Sequence, residues 1–112
     1  MPPQIQDQLA QCSSPANCVL VEWKFKDVDM AFKKLVEISS KQPRVEILEK
    51  SNSYFHAVCR TLIFRFPDDL EILKNSKLKS IQVKSSSRIG LSDLGVNHKR
   101  VEKLRKALSG NI

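Results

Sequence analysis

The chain has 112 residues and a mass of 12.8 kDa, room for one domain rather than two. It is 41% hydrophobic and 28% charged, with three Gly and five Pro, which excludes a collagen-like or low-complexity linker chain; no apolar run is long enough to cross a bilayer as a helix. The net charge of +7 is lopsided: nine Lys/Arg face ten Asp/Glu through Leu73, then ten face two from Lys74 onward.

Residues 1–18 are polar and carry Pro2, Pro3, Pro15 and Ser13-Ser14, which predicts an extended arm ahead of a single domain over 19–112. Val19 to Trp23 is β-prone and reads as a short strand. Asp27 is a good N-cap. Val28, Ala31, Phe32, Leu35 and Ile38 then recur at helical spacing, which predicts a helix from about Val28 to Ser40, ended by Gln42-Pro43. Val45 and Ile47 alternate with Arg44 and Glu46 in a strand, and Lys50 to Ser53 reads as a hairpin turn. The next strand is long, from Tyr54 to Phe66. Its even positions carry the larger apolar groups and are assigned to the buried face, Arg60 among them.

Phe66-Pro67-Asp68-Asp69 has the chemistry of a tight turn. Leu70 and Ile72 open another strand, Asn75-Ser76 turns, and Leu78 to Lys84 returns with Ile81 and Val83 inward. Ser85 to Val96 reads as a loop containing Gly90 and Gly95. Asn97 caps the last helix, whose apolar stripe is Val101, Leu104 and Leu108 and whose basic face is Lys99, Lys103 and Lys106. The order predicts an α+β fold: about four strands in an antiparallel meander, with two amphipathic helices packed on one face.

The stretch from Ser85 to Leu108 contains Ser-Ser-Ser-Arg-Ile-Gly-Leu-Ser-Asp-Leu-Gly-Val-Asn-His-Lys-Arg. This resembles the signature of the bacterial and plastid domain-of-unknown-function family numbered fourteen ninety-nine. Phe66-Pro67-Asp68-Asp69, Arg60-Thr61 and Asn17-Cys18-Val19 match further elements of its pattern. The chain differs at Lys84, where Arg is usual, and at Pro67, where an aliphatic residue is common. The resemblance implies an architecture and no agreed activity; relatives often carry a membrane or lipoprotein anchor, which is not expected here.

Three cysteines, Cys12, Cys18 and Cys59, cannot all pair within one chain. The opening residues lack a basic stretch and an apolar core, so reduced thiols in a cytoplasmic setting are expected; the resemblance implies the plastid stroma instead if the source is a photosynthetic eukaryote. The alternative is a Cys12–Cys18 bridge in a processed chain. Leu9-Ala10-Gln11-Cys12 lacks the apolar stretch of a lipid-attachment site.

The first candidate constellation is Arg60, Asp68, Asp69, Arg88 and Asp93, with Asn97 ending the same loop. A buried guanidinium needs a carboxylate, and adjacent carboxylates need cations. These residues are therefore expected to form an Arg–carboxylate network pinning the Ser85–Val96 loop to the sheet; a small polar or anionic ligand pocket or an enzyme site built on Arg60, Asp68 and Arg88 is the functional alternative. No catalytic residue is assigned: Ser85, Ser86, Ser87 and His98 lack the strained turn of a hydrolase nucleophile. No metal site or cofactor is expected, because Cys-x₅-Cys is too loose and His56 and Cys59 point to opposite faces of a strand.

The basic surface of Lys99, Arg100, Lys103, Arg105 and Lys106, with Lys74, Lys77, Lys79 and Lys84, suits an acidic protein or an anionic membrane surface. Trp23 and Tyr54 are far from it in sequence, which argues against sequence-specific nucleic-acid recognition. A solvated face is the plainer alternative. Trp23 and Phe25 are expected to lie as a lid over the helix–sheet core rather than as a partner anchor.

Overall fold

The computed structural model describes residues 8–110. The elements are β1 (Cys18–Lys24), α1 (Val28–Ser40), β2 (Val45–Lys50), β3 (Tyr54–Arg60), β4 (Pro67–Asn75), β5 (Ser80–Ser87) and α2 (Val96–Ser109). All strand pairs are antiparallel, in the order β1-β5-β4-β3-β2. The fold is α+β, as expected. The four-strand meander is present as β2 to β5, and the Val19–Trp23 segment adds a fifth strand beside β5. The part of the predicted arm before Gln8, and the last two residues, lie outside the described residues.

Helix α1 has the bounds its pattern implies. Asp27 Oδ1 accepts from the Met30 amide at 3.0 Å, so the cap satisfies one of the unpaired N–H groups of the first turn. Val28, Ala31, Phe32 and Leu35 face the sheet. Helix α2 buries Val101, Leu104 and Leu108 on the same face. Trp23 and Phe25 are partly buried against this core.

The core reverses the expected phase of β3. Phe55, Ala57 and Cys59, the odd positions, lie beneath the helices with Leu70, Ile72, Ile81 and Val83. Leu62, Phe64 and Phe66 give the even positions their apolar weight, but those residues are not strand. The chain leaves the sheet after Arg60, which ends exposed, and turns through 61–66. Thr61 anchors the turn: its amide donates to the Phe66 carbonyl at 3.1 Å, and its Oγ1 accepts from the Phe66 amide at 2.9 Å. Pro67-Asp68-Asp69, expected as a turn, instead opens β4.

On the sheet's other face, Leu9 is buried against Tyr54 and Leu73. Its amide donates to Gln82 Oε1 at 2.6 Å. Cys12 and Cys18 form a disulfide, which corrects the expectation that all three thiols are reduced; only Cys59 is free, and it is buried. The bridge ties the arm to the first residue of β1. It therefore holds Leu9 near the face that it covers.

Candidate functional site

Asp68 is an inward-facing position of β4 and is 1% exposed. A carboxylate so buried requires a cation. Arg100 of α2 supplies it, with Nη1 2.9 Å from Asp68 Oδ2. That oxygen receives no well-aligned hydrogen bond, so the pair is held by charge. The same Nη1 donates to Asn97 Oδ1 at 2.9 Å and Ser85 Oγ at 3.0 Å. Ser85 Oγ in turn donates to Asn97 Oδ1 at 2.6 Å.

Asn97 is wholly buried in the first turn of α2, not at the cap. Its amide nitrogen donates to Asp93 Oδ2 at 2.6 Å, Ser87 Oγ at 2.9 Å and the Asn17 carbonyl at 3.3 Å. Asp93 takes over the capping role expected of Asn97. Its carboxylate accepts from the backbone amides of Gly95 and Asn97 at 2.8 and 3.2 Å. Desolvation opposes its ionisation, but these bonds outweigh it and hold the carboxyl below the usual range.

Asp69, the next residue, points to the opposite face because strand side chains alternate. Arg88 grips it with two bonds, Nε to Oδ2 at 2.9 Å and Nη2 to Oδ1 at 2.8 Å. His56 Nε2 lies 2.7 Å from Oδ1. Partial burial pushes the Asp69 carboxyl up, yet the bonds from Arg88 and His56 leave it below its ordinary value. Beside them, the Tyr54 hydroxyl donates to Glu71 Oε2 at 2.6 Å.

The expected single network is therefore two networks, one on each face of the sheet, and Arg60 belongs to neither. Arg60 exchanges bonds with Arg44: its amide donates to the Arg44 carbonyl at 3.0 Å, and Arg44 Nε donates to its carbonyl at 3.1 Å. The structure does not gather Arg60, Asp68 and Arg88 into one pocket. The loop is pinned to the sheet nonetheless, with the Arg88 amide donating to the Pro67 carbonyl at 3.1 Å.

The expected basic surface is also redistributed. Arg100 turns inward to Asp68, and Arg105 pairs with Glu102 at 2.9 Å. Lys74 pairs with Asp29. Lys99, Lys103 and Lys106 stay exposed on α2. Lys99 and Lys103 join Arg44 and Arg60 around a cleft of about 190 Å³, backed by buried Cys59, Leu70 and Leu104. None of these four cations forms an ion pair among the described residues. Sequence reasoning missed Arg44, because nothing local shows that the α1–β2 turn comes back beside α2. Burial pushes the Cys59 thiol up, with Arg100 only partly offsetting this, so it stays protonated near neutral pH.

Ser85 and Ser87 bond to Asn97, while His98 is exposed and bonds to none of Ser85, Ser86 and Ser87. Among the described residues, no group of three or more His, Cys, Asp or Glu is placed to hold a metal ion. No helix among them is long and apolar enough to cross a membrane.

Fold and site define a small α+β module whose buried polar residues fasten a loop and a helix to the sheet, and in which four cations without an ion pair among the described residues, Arg44, Arg60, Lys99 and Lys103, border one cleft. The chain belongs to the family described as protein of unknown function (DUF1499), which matches residues 1–108. No curated protein matches it. The residues that carried the resemblance now have physical roles. Ser85, Ser87, Arg88, Asp93, Asn97 and Arg100 build the two networks around Asp68 and Asp69.

Proposed function

We propose that this protein is a non-enzymatic binding module that docks an anionic partner through the cationic cleft beside α2. One observation carries the reading: Arg44, Arg60, Lys99 and Lys103 line a single cleft, and among the described residues no carboxylate pairs with any of them. Four cations held together repel one another, and an incoming anion relieves that repulsion. The ion pairs of Arg100 with Asp68 and of Arg88 with Asp69, and the hydrogen bonds that Asp93 accepts from its own loop and helix, argue that these five residues serve the fold. The Cys12–Cys18 bridge supports an oxidising compartment over the reducing one expected from the opening residues.

The test is retention on immobilised polyglutamate and on vesicles containing phosphatidylglycerol, followed across a salt gradient. A variant with Arg44, Arg60, Lys99 and Lys103 changed to Gln is compared with one in which Lys26, Lys33, Lys50 and Lys77 are changed to Gln. Loss confined to the cleft variant is the expected result. Equal loss in both would make net charge the cause and sink the cleft.

A further inference from the structure

We infer that the partner is an anionic lipid bilayer, docked by the end of the sheet where the cleft lies, with the tips of two loops inserted among the headgroups. This rests on the anionic-docking reading and names its partner. Strand register brings three connections to that end: Val45 pairs with Cys59, Arg60 with Pro67, and Asp68 with Ser87. The α1–β2 turn, the β3–β4 loop (61–66) and the β5–α2 loop (88–95) therefore stand side by side.

Among the described residues, seven of the eleven exposed large hydrophobic residues lie on the latter two loops. Leu62, Ile63 and Phe64 are 66%, 79% and 71% exposed; Ile89, Leu91 and Leu94 are 51%, 92% and 88% exposed. A concentration of this kind marks an interaction surface rather than scattered surface residues. Folding stability does not account for it. Leu94 sits at φ 55°, a left-handed conformation that Gly or Asn adopts with less strain, yet the position presents a large apolar side chain to water.

The tips are braced in place. The Phe64 and Phe66 rings stack at 5.4 Å. Across the second loop, Asn17 Nδ2 donates to the Gly90 carbonyl at 3.0 Å, and the Asp93 amide donates to the Ala16 carbonyl at 3.0 Å. Between the loops runs a mostly apolar cleft of about 280 Å³, and Val96 lines both this cleft and the cationic one. The apolar tips and the four cleft cations thus adjoin one another through Val96.

That pairing of chemistries matches the depth profile of an anionic membrane. Apolar side chains enter the boundary with the acyl chains, and long Arg and Lys side chains reach lipid phosphates at its surface. Arg65 is already flanked by Phe64 and Phe66 in the first loop. Opposing carboxylates are engaged elsewhere. Asp68 and Asp69 hold Arg100 and Arg88, Asp93 holds its own loop, and Glu46 stands on the sheet's outer face opposite Val58. An acidic protein would complement the cations but would need a matching pocket for the projecting tips, whereas a fluid bilayer adapts to them.

The experiment is flotation of the full chain with phosphatidylcholine vesicles, with and without phosphatidylglycerol. Wild type is compared with the Ile63→Asp/Phe64→Asp variant, its folding checked by thermal melting. A Phe64→Trp variant, made in a Trp23→Phe background so that the loop indole is the only one, reports depth through quenching by lipids brominated on the acyl chain. Expected are binding roughly tenfold or more tighter to the anionic vesicles, a loss of similar size in the double variant, and quenching of the loop indole's emission. Anionic binding that survives the double substitution, with the loop indole unquenched, overturns insertion while leaving cationic docking intact. Retention on polyglutamate without vesicle binding overturns the membrane as partner and leaves the cleft reading standing. Retention on neither overturns both.

Discussion

Asp68 and Asp69 are consecutive, and each binds an arginine on a different face of the sheet: Asp68 takes Arg100 beneath α2, and Asp69 takes Arg88 on the outer face. Two adjacent carboxylates thereby fasten different structures, one a helix and the other a loop. Breaking the buried pair should cost much more than breaking the outer one. Asp68→Asn or Arg100→Gln is expected to lose about 3–5 kcal/mol, since either leaves a buried charge unpaired. The double variant should lose less than the sum of the two. Urea titrations of the four proteins measure this, and strict additivity would contradict direct coupling.

Acid sensitivity should trace to Asp69 and Asp93. Both carboxyls titrate below their ordinary value in the fold. Their contribution is complete above the unfolded carboxyl pKa of about 3.9 and is lost as pH falls through the lower folded value. Asp69→Asn and Asp93→Asn should each flatten the fall in stability below that point. Melting temperature against pH is the measurement; unchanged acid slopes would count against both networks.

Tyr54 is the single tyrosine, so its titration can be read directly from tyrosinate absorbance. Burial, followed by the Glu71 carboxylate, raises its phenol far above the usual range. The unfolded phenol ionises at about pH 10 while the folded one resists ionisation, so the stability tied to the neutral phenol is complete below about pH 10 and declines as pH rises beyond it. No tyrosinate signal should develop until the protein unfolds. Glu71→Gln should bring the onset to lower pH. A normal titration in folded protein would place Tyr54 in solvent.

The Cys12–Cys18 bridge closes a short loop and should stabilise the chain by roughly 2 kcal/mol. Cys12→Ser/Cys18→Ser is expected to lose that amount. It should also speed hydrogen exchange at the Leu9 amide, which bonds to Gln82 across the sheet. Equal stability with and without reductant would show that Leu9 holds the arm unaided.

Much of the fold is legible residue by residue. The cap at Asp27 and the spacing of Val28, Ala31, Phe32 and Leu35 are local signals, and α1 has the bounds that they imply. The stripe of Val101, Leu104 and Leu108 is equally local. In β3 the same kind of reasoning failed. Leu62, Phe64 and Phe66 continue a period of two, and alternation alone cannot mark where a strand stops. The Thr61–Phe66 turn marks it, through bonds that exist only once the chain has reversed.

By itself, the sequence determined the α+β class, the two helices and the family, because caps, periodicities and a contiguous signature are properties of neighbouring residues. Tertiary structure alone decided which cations are free. Arg100 is internal because Asp68 is buried opposite it, and Arg44 reaches the cleft because α1 delivers the chain to β2 beside α2. It also decided that Asn17 and Asn97, eighty residues apart, meet beneath the loop. A charge is external or internal according to what packs against it, and that is set by strand pairing and helix placement across the whole chain.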